Sequence, residues 1–143
     1  MSATGKPIII FTDGGARGNP GPAGSGAVVR GPDGKIVAEI SEYLGHQTNN
    51  FAEYTALVLA LTAAREAFGD PVSHPVEVKM DSELIVKQMK GEYKVKHPVL
   101  KEKNLEVRTL IHASFPVISF THVRRAENAE ADRLANDAMD RGA

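Results

Sequence analysis

Apolar residues fall in two rhythms along this chain. Ile8 to Thr12 is a continuous apolar, β-branched run of strand length and reads as a buried central strand. Gly26 to Arg30 reads as a second strand, Gly31-Pro32-Asp33-Gly34 as a turn, and Lys35 to Leu44 alternates as a third. Short connections make these three antiparallel. The period then lengthens. From Phe51 to Phe68, Tyr54, Leu57, Val58, Leu61, Ala64 and Phe68 share one helical face. Ala52, Ala56, Ala60 and Ala63 make the adjoining face small, so this helix is expected to pack on two sides. Gly69-Asp70-Pro71 ends it. Val76, Val78 and Met80 alternate with Glu77, Lys79 and Asp81 as a fourth strand. A short helix spans Ser82 to Lys90, and another runs from Pro98 to Ala113 with proline near its start. Val117 to Val123 is a fifth strand. A last helix covers Glu127 to Met139, with Ala131, Leu134, Ala135, Ala138 and Met139 on one face.

The order βββ-α-β-α-α-β-α predicts an α/β fold: a five-stranded mixed sheet with helices on both faces. Three antiparallel strands come first and helix-linked parallel strands follow. A length of 143 residues suits one domain over residues 1–143, with 1–6 as a loose tail. Apolar residues make up 42%, enough to fill a core. No apolar run approaches the roughly 20 residues that span a bilayer, and Met1 to Lys6 lacks a signal-peptide layout. With no cysteine, disulfides, thiolate metal ligands and thiol nucleophiles are excluded. These features predict a soluble, cytoplasmic protein.

Net charge is −1, but its distribution is uneven. Lys87, Lys90, Lys94, Lys96, Lys101 and Lys103 face only Glu92 and Glu102 in their stretch, with Tyr93 and His97 interleaved. Such a run is either a solvated helix face or a ridge that tracks phosphates.

The glycine-rich stretch after Ile8 invites a phosphate-loop reading, and the residues refuse it. A Walker loop needs a lysine followed by serine or threonine at the mouth of a helix, and no lysine occurs between Lys6 and Lys35. A dinucleotide fingerprint also needs a helix next, whereas a strand follows. Pro20 and Pro22 remove two amide donors. The stretch reads as a flexible hairpin connection whose glycines allow tight turns and close approach.

That leaves Asp13, the one acid beside an apolar strand. Glu53 sits early in the most hydrophobic helix, Asp81 ends the fourth strand, and Asp132 interrupts the last helix. Each has an ordinary explanation. Asn50 and Glu53 form a possible capping box. Asp81 or Ser82 caps the short helix. Asp132 could pair with Arg133 or a neighbouring base, and Asp13 could open a turn. Together they suggest another reading. Neighbouring strand ends would bring Asp13 and Asp81 to one rim, and the packed helices would add Glu53 and Asp132. Clustered carboxylates repel, and hard divalent cations are the usual compensation.

Four segments, "TDGGARGNPGPAG", "TNNFAEYTAL", "MDSELIVKQMKGEYKVK" and "THVRRAENAEADRLAN", stand in an order and spacing that resembles the type 1 ribonuclease H family, in its compact prokaryotic branch. The resemblance covers Ile8 to Met139. It implies a ribonuclease H-like fold and an endonuclease that hydrolyses the RNA strand of RNA/DNA hybrids, leaving 5′-phosphate and 3′-hydroxyl ends. It implies that Asp13, Glu53, Asp81 and Asp132 hold two Mg2+ ions, with Mn2+ as an alternative, one activating water and one stabilising the leaving oxygen. It further implies that Asn19, Asn49 and Asn50 read 2′-hydroxyls or nearby backbone and that Thr48 meets a DNA phosphate. The lysine stretch, Lys94 and Lys96 in particular, then becomes a DNA-strand ridge. The expected partner is a hybrid duplex, bound by a monomer away from any membrane.

Two departures from the family pattern matter. Glu83 stands where many relatives carry glutamine, which puts that nucleic-acid contact in doubt. Many relatives also use a loop histidine before the last acid. Here His122 falls in the fifth strand, and Arg125 in the turn is the better-placed helper. Two other functions share these features: a same-fold nuclease acting on double-stranded RNA or junctions, and a hybrid-binding module without catalysis.

Overall fold

The computed structural model describes residues 5–143, so most of the expected 1–6 tail, residues 1–4, lies outside the described residues. Five strands, β1 (Ile8–Ala16), β2 (Gly21–Arg30), β3 (Ile36–Gln47), β4 (Val76–Met80) and β5 (Ile118–His122), form one mixed sheet in the order β3-β2-β1-β4-β5. β1 runs antiparallel to β2 and β2 to β3, whereas β4 lies parallel to both β1 and β5. Four helices complete the chain: α1 (Asn49–Phe68), α2 (Glu83–Met89), α3 (Pro98–Ser114) and α4 (Ala129–Arg141), the last preceded by a 3-10 turn over Arg125–Asn128.

The expected architecture is present, with one instructive correction. Most of the glycine-rich stretch is strand, not loop. β1 continues through Asp13 to Ala16 and β2 begins at Gly21, so only Arg17 to Pro20 connect them. The glycines serve helix packing. A Cβ on Gly14 would fall 2.3 Å from the Ala52 carbonyl carbon of α1, and one on Gly26 would fall 2.3 Å from the Ala131 oxygen of α4. α1 and α4 thus lie directly on the sheet, and the Ser25 hydroxyl reaches α1 by donating to the Ala52 carbonyl at 2.6 Å. Because successive strand residues face opposite sides, Ser25 and Gly26 show that the two helices cover opposite faces.

Below these contacts the core is aliphatic. Ile8, Ile10, Val76 and Val78 of the central strands meet Leu57 and Leu61 of α1, all at most 2% exposed. One polar group interrupts it. The buried Tyr54 hydroxyl donates to Gln88 Oε1 at 2.7 Å and accepts from Asn104 Nδ2 at 3.1 Å, tying α1 to α2 and α3. At the far edge, Ser41 of β3 donates to the Leu134 carbonyl, and Arg141 donates back to the Ser41 carbonyl, which fastens α4.

Gly26→Ala should destabilise the fold by about 3 kcal/mol, because the backbone of α4 cannot yield at one point without shifting as a rod. Denaturant melts check this. A loss under about 0.5 kcal/mol would show that α4 is free to slide on the sheet.

Candidate active site

The parallel ladder between β1 and β4 ends at Thr12 opposite Met80. Asp13 and Asp81 are the next residues on each strand, so the two acids emerge side by side at the carboxyl rim of the sheet. Asp13 is not at the end of its strand, as expected, but at the end of its parallel partner's reach. Crevices at such rims are where ligands of open α/β sheets bind.

Local structure removes the capping explanations for Glu53 and Asp81 and changes the partner of Asp132. Thr48 caps α1, its hydroxyl accepting from Phe51 N at 3.2 Å, so the expected capping box at Asn50 is absent and Glu53 lies a full turn inside the helix. Ser82 caps α2 by accepting from Ile85 N, which frees Asp81 of that task. Arg133 pairs with Glu39 and Asp137 rather than with Asp132. Asp132 instead lies 3.8 Å from Arg125 and accepts from Asn136 Nδ2 at 3.3 Å.

All four acids line one cleft of about 470 Å3, together with Asn49, Asn50 and Arg125. Burial, then the Asp81 charge and a hydrogen bond with Asp132, push the Asp13 carboxyl up to about 8. Burial, with the Asp81 charge adding, pushes Glu53 up to about 7, against the pull of a hydrogen bond from Ser82. Glu53 Oε2 is also buried without a hydrogen-bond partner. Acids held this far above their usual range are acids short of positive charge. A divalent cation fits that shortage: the donors are hard oxygens, and one of them is orphaned. The acids line the cleft without forming a closed cage, since among the described residues no three His, Cys, Asp or Glu side chains are already gathered around an ion position.

The other expected site residues divide between two neighbouring clefts. Asn49 Oδ1 accepts from Ala16 N at 2.7 Å, and its own backbone N donates to Asn19 Oδ1 at 3.1 Å, which pins the β1–β2 connection to the start of α1. Asn19 and Thr48 line a second cleft of about 300 Å3 that also contains Asn50 and His97, so Asn50 joins the two. Lys94 and Lys96 are exposed in the segment leading to His97 and line neither cleft. Lys87 and Lys103 of the same stretch are already engaged, with Glu83 and Glu106 respectively. Glu83 is exposed, and its bond to Lys87 holds its carboxyl below the usual range.

Three residues escaped the sequence reading. Asn128, 1% exposed, donates to the Thr12 carbonyl at 2.9 Å and to Asp81 Oδ1 at 3.3 Å, so it braces Asp81. An asparagine beside a helix start reads as a cap, and only the fold turns it inward. Arg17 and Asn136 also line the acid cleft. Their contact bridges 119 positions and leaves no local signal.

Comparison with known proteins shows the family of the chain. Residues 11–138 match the family model described as reverse transcriptase-like. The chain is 44% identical over 137 residues to ribonuclease HI of Halobacterium salinarum, covering 95% of this chain and 66% of that protein. It is 45% identical to a bifunctional protein of Mycobacterium tuberculosis but spans only 36% of that protein's length. Its fold superposes with a TM-score of 0.89 on a ribonuclease H1 isolated from compost, 52% identical, covering 95% of this chain and 97% of that one. The same compost enzyme has been crystallised in complex with an RNA/DNA hybrid. The chain belongs to the type 1 ribonuclease H family.

Arg125 lines the acid cleft, whereas His122 is exposed at the last position of β5 and does not. Arg125→Ala should lower turnover about tenfold and His122→Ala less than twofold, once both are shown to fold. The reverse ranking in a steady-state assay would return the helper role to the histidine.

Proposed function

We propose that this protein is an endoribonuclease that cuts the RNA strand of RNA/DNA hybrids, leaving 5′-phosphate and 3′-hydroxyl ends. One observation carries the reading: four carboxylates, from β1, α1, the residue after β4, and α4, converge on a single cleft beside Asn49 and Asn50. Asp13, Glu53, Asp81 and Asp132 would hold two magnesium or manganese ions. Those ions, when bound, supply the Lewis acidity that makes water a nucleophile and steadies a leaving oxyanion.

The chain's own groups do the rest. Asn50 sits where the two clefts meet and presents an amide to a 2′-hydroxyl, a group that donates and accepts at once. Asn49 has spent its oxygen on Ala16 and offers its NH2 group. Asn19 is held beside them. Thr48 uses its hydroxyl oxygen as a cap, which leaves its proton free to donate to a DNA phosphate. Arg125 places an exposed cation, 80% accessible, beside Asp132 in the acid cleft. No helix among the described residues is long and apolar enough to cross a membrane. The lack of cysteine suits the cytoplasm.

Lys94→Ala with Lys96→Ala should raise the Michaelis constant several-fold with little change in turnover and flatten the salt dependence of hybrid affinity by about one unit of slope per lysine. An unchanged slope would reduce the stretch to a solvated face.

Cleavage of labelled hybrid, double-stranded RNA and double-stranded DNA in magnesium tests the function. Cutting of the hybrid's RNA strand alone, or far faster than the others, is expected. Equal cutting of double-stranded RNA would favour the broader same-fold nuclease, and binding without cutting would make the protein a hybrid-binding module.

A further inference from the structure

The acid cleft carries a second cation besides Arg125. Arg17, the first residue of the β1–β2 connection, lines the same cleft. Its Nη2 lies 3.4 Å from Asn136 Oδ1, and its Nη1 pairs with Asp140 at 2.5 Å. Asn136 in turn donates to both the backbone and the side-chain oxygen of Asp132, at 2.9 and 3.3 Å. A polar row thus runs from the Asp132 carboxylate through Asn136 to the Arg17 guanidinium. Asp132, Asn136 and Asp140 are spaced four apart on α4, so each step along the row is about 6 Å.

We infer that Arg17 is a further substrate-binding residue, taking a phosphate of the RNA strand two to three nucleotides from the bond that is cut. The inference rests on the reading of a hybrid as the substrate. Spacing supports it. Arg17 meets Asn136 and Asp140, about 6 and 12 Å along α4 from Asp132, or about two to three nucleotide rises along a strand, so a strand with one phosphate at the acids brings another to Arg17. Chemistry supports it too. A guanidinium is a planar fork that meets two phosphate oxygens at once. Of its neighbours in this wall, Ala16 and Met139 have no side-chain donor, and the Asn136 NH2 group is engaged by Asp132.

The ion pair with Asp140 does not compete with this role. Its side chains are 47% and 64% exposed, and exposed pairs contribute little to stability. Moreover, the connection is already held by its own backbone, Arg17 N donating to the Pro22 carbonyl at 2.9 Å. Asp140 therefore parks the guanidinium at the cleft wall, where a phosphate can displace it.

A phosphate anchor and a mere tether between the hairpin and α4 respond differently to two substitutions. Arg17→Ala removes both the charge and the tether, whereas Asp140→Asn removes the ion pair but leaves the guanidinium free. Steady-state cleavage of a hybrid in magnesium, at several potassium chloride concentrations and beside thermal melts, separates them. For Arg17→Ala the Michaelis constant should rise about fivefold, turnover should stay within twofold, and the salt slope of kcat/KM should fall by about one. Arg17→Lys should keep that slope. Asp140→Asn should leave the Michaelis constant unchanged or lower. Equal rises for Arg17→Ala and Asp140→Asn, tracking equal losses in melting temperature, would overturn the inference in favour of a tether. An unchanged Michaelis constant and slope in Arg17→Ala would overturn it outright. Failure of the wild type to cut hybrid would instead remove the substrate reading on which it rests.

Discussion

Asp81→Asn should abolish hybrid cleavage, by three orders of magnitude or more, while the metal-free protein melts at a temperature no lower than the wild type. The loss of activity follows from ligand chemistry: an amide oxygen is a poorer donor to a hard divalent ion than a carboxylate. Survival of the fold follows from packing. The two side chains are nearly the same size, and an asparagine oxygen can still accept from Asn128, which holds Asp81 Oδ1 at 3.3 Å. A cap is not at stake, because Ser82 caps α2. What changes is charge. Asp81 is among the causes that raise both Asp13 and Glu53. If its removal relieves about one pKa unit in all, the gain is about 1.4 kcal/mol, or about 3 to 5 °C. Magnesium should shrink the gain, since it neutralises the same repulsion in the wild type. Retained activity with a lower melting temperature would make Asp81 a structural residue.

The metal-free protein should also lose stability as pH rises from about 5 to about 7.5. Asp13 and Glu53 have ordinary values of 3.8 and 4.5 and are raised to about 8 and about 7 in the fold. Between those limits the folded chain keeps protons that the unfolded chain has released. Stability is therefore full below about pH 4 and falls as pH climbs through the folded values. Each group is limited to about 1.4 kcal/mol per pH unit. Shared neighbours and partial exposure trim the combined fall to about 3 kcal/mol, or about 10 °C in melting temperature. Thermal melts in chelator across that range measure it. Asp13→Asn should flatten the curve, and magnesium should do the same by binding the charged form. A melting temperature that holds steady or rises would show that the acids are solvated independently.

Much of this was legible in the sequence because the signals are local. The apolar stripe on Tyr54, Leu57 and Leu61 marks α1, and the alternation of Val76, Val78 and Met80 marks β4. The four acids were conspicuous because each interrupts an apolar element. The extent of β1 and β2 was hidden for a physical reason. Gly14, Gly15, Gly24 and Gly26 have low strand propensity and read as loop, yet glycine is what lets α1 and α4 rest on the sheet. Helix packing of that kind is written in no short window. The cap of α1 was misread because Thr48 and Asn50 are both good cap residues, and the choice between them depends on where the chain leaves β3. Asn128 reaches Thr12, and Arg17 reaches Asn136, across more than a hundred positions, and Asn128 meets Asp81 across 47. No periodicity reports those.

The carboxylate cleft as the seat of hydrolysis is tested most directly by one titration. A hybrid labelled at the 5′ end of its RNA strand is incubated with the protein in excess chelator, and magnesium is then added in steps. We expect no cutting before free magnesium is present, followed by internal fragments that end in 3′-hydroxyls and begin with 5′-phosphates, as attack by water with departure of the 3′-oxygen requires. Cutting in chelator, or fragments ending in 2′,3′-cyclic phosphate from attack by the neighbouring 2′-hydroxyl, would contradict it.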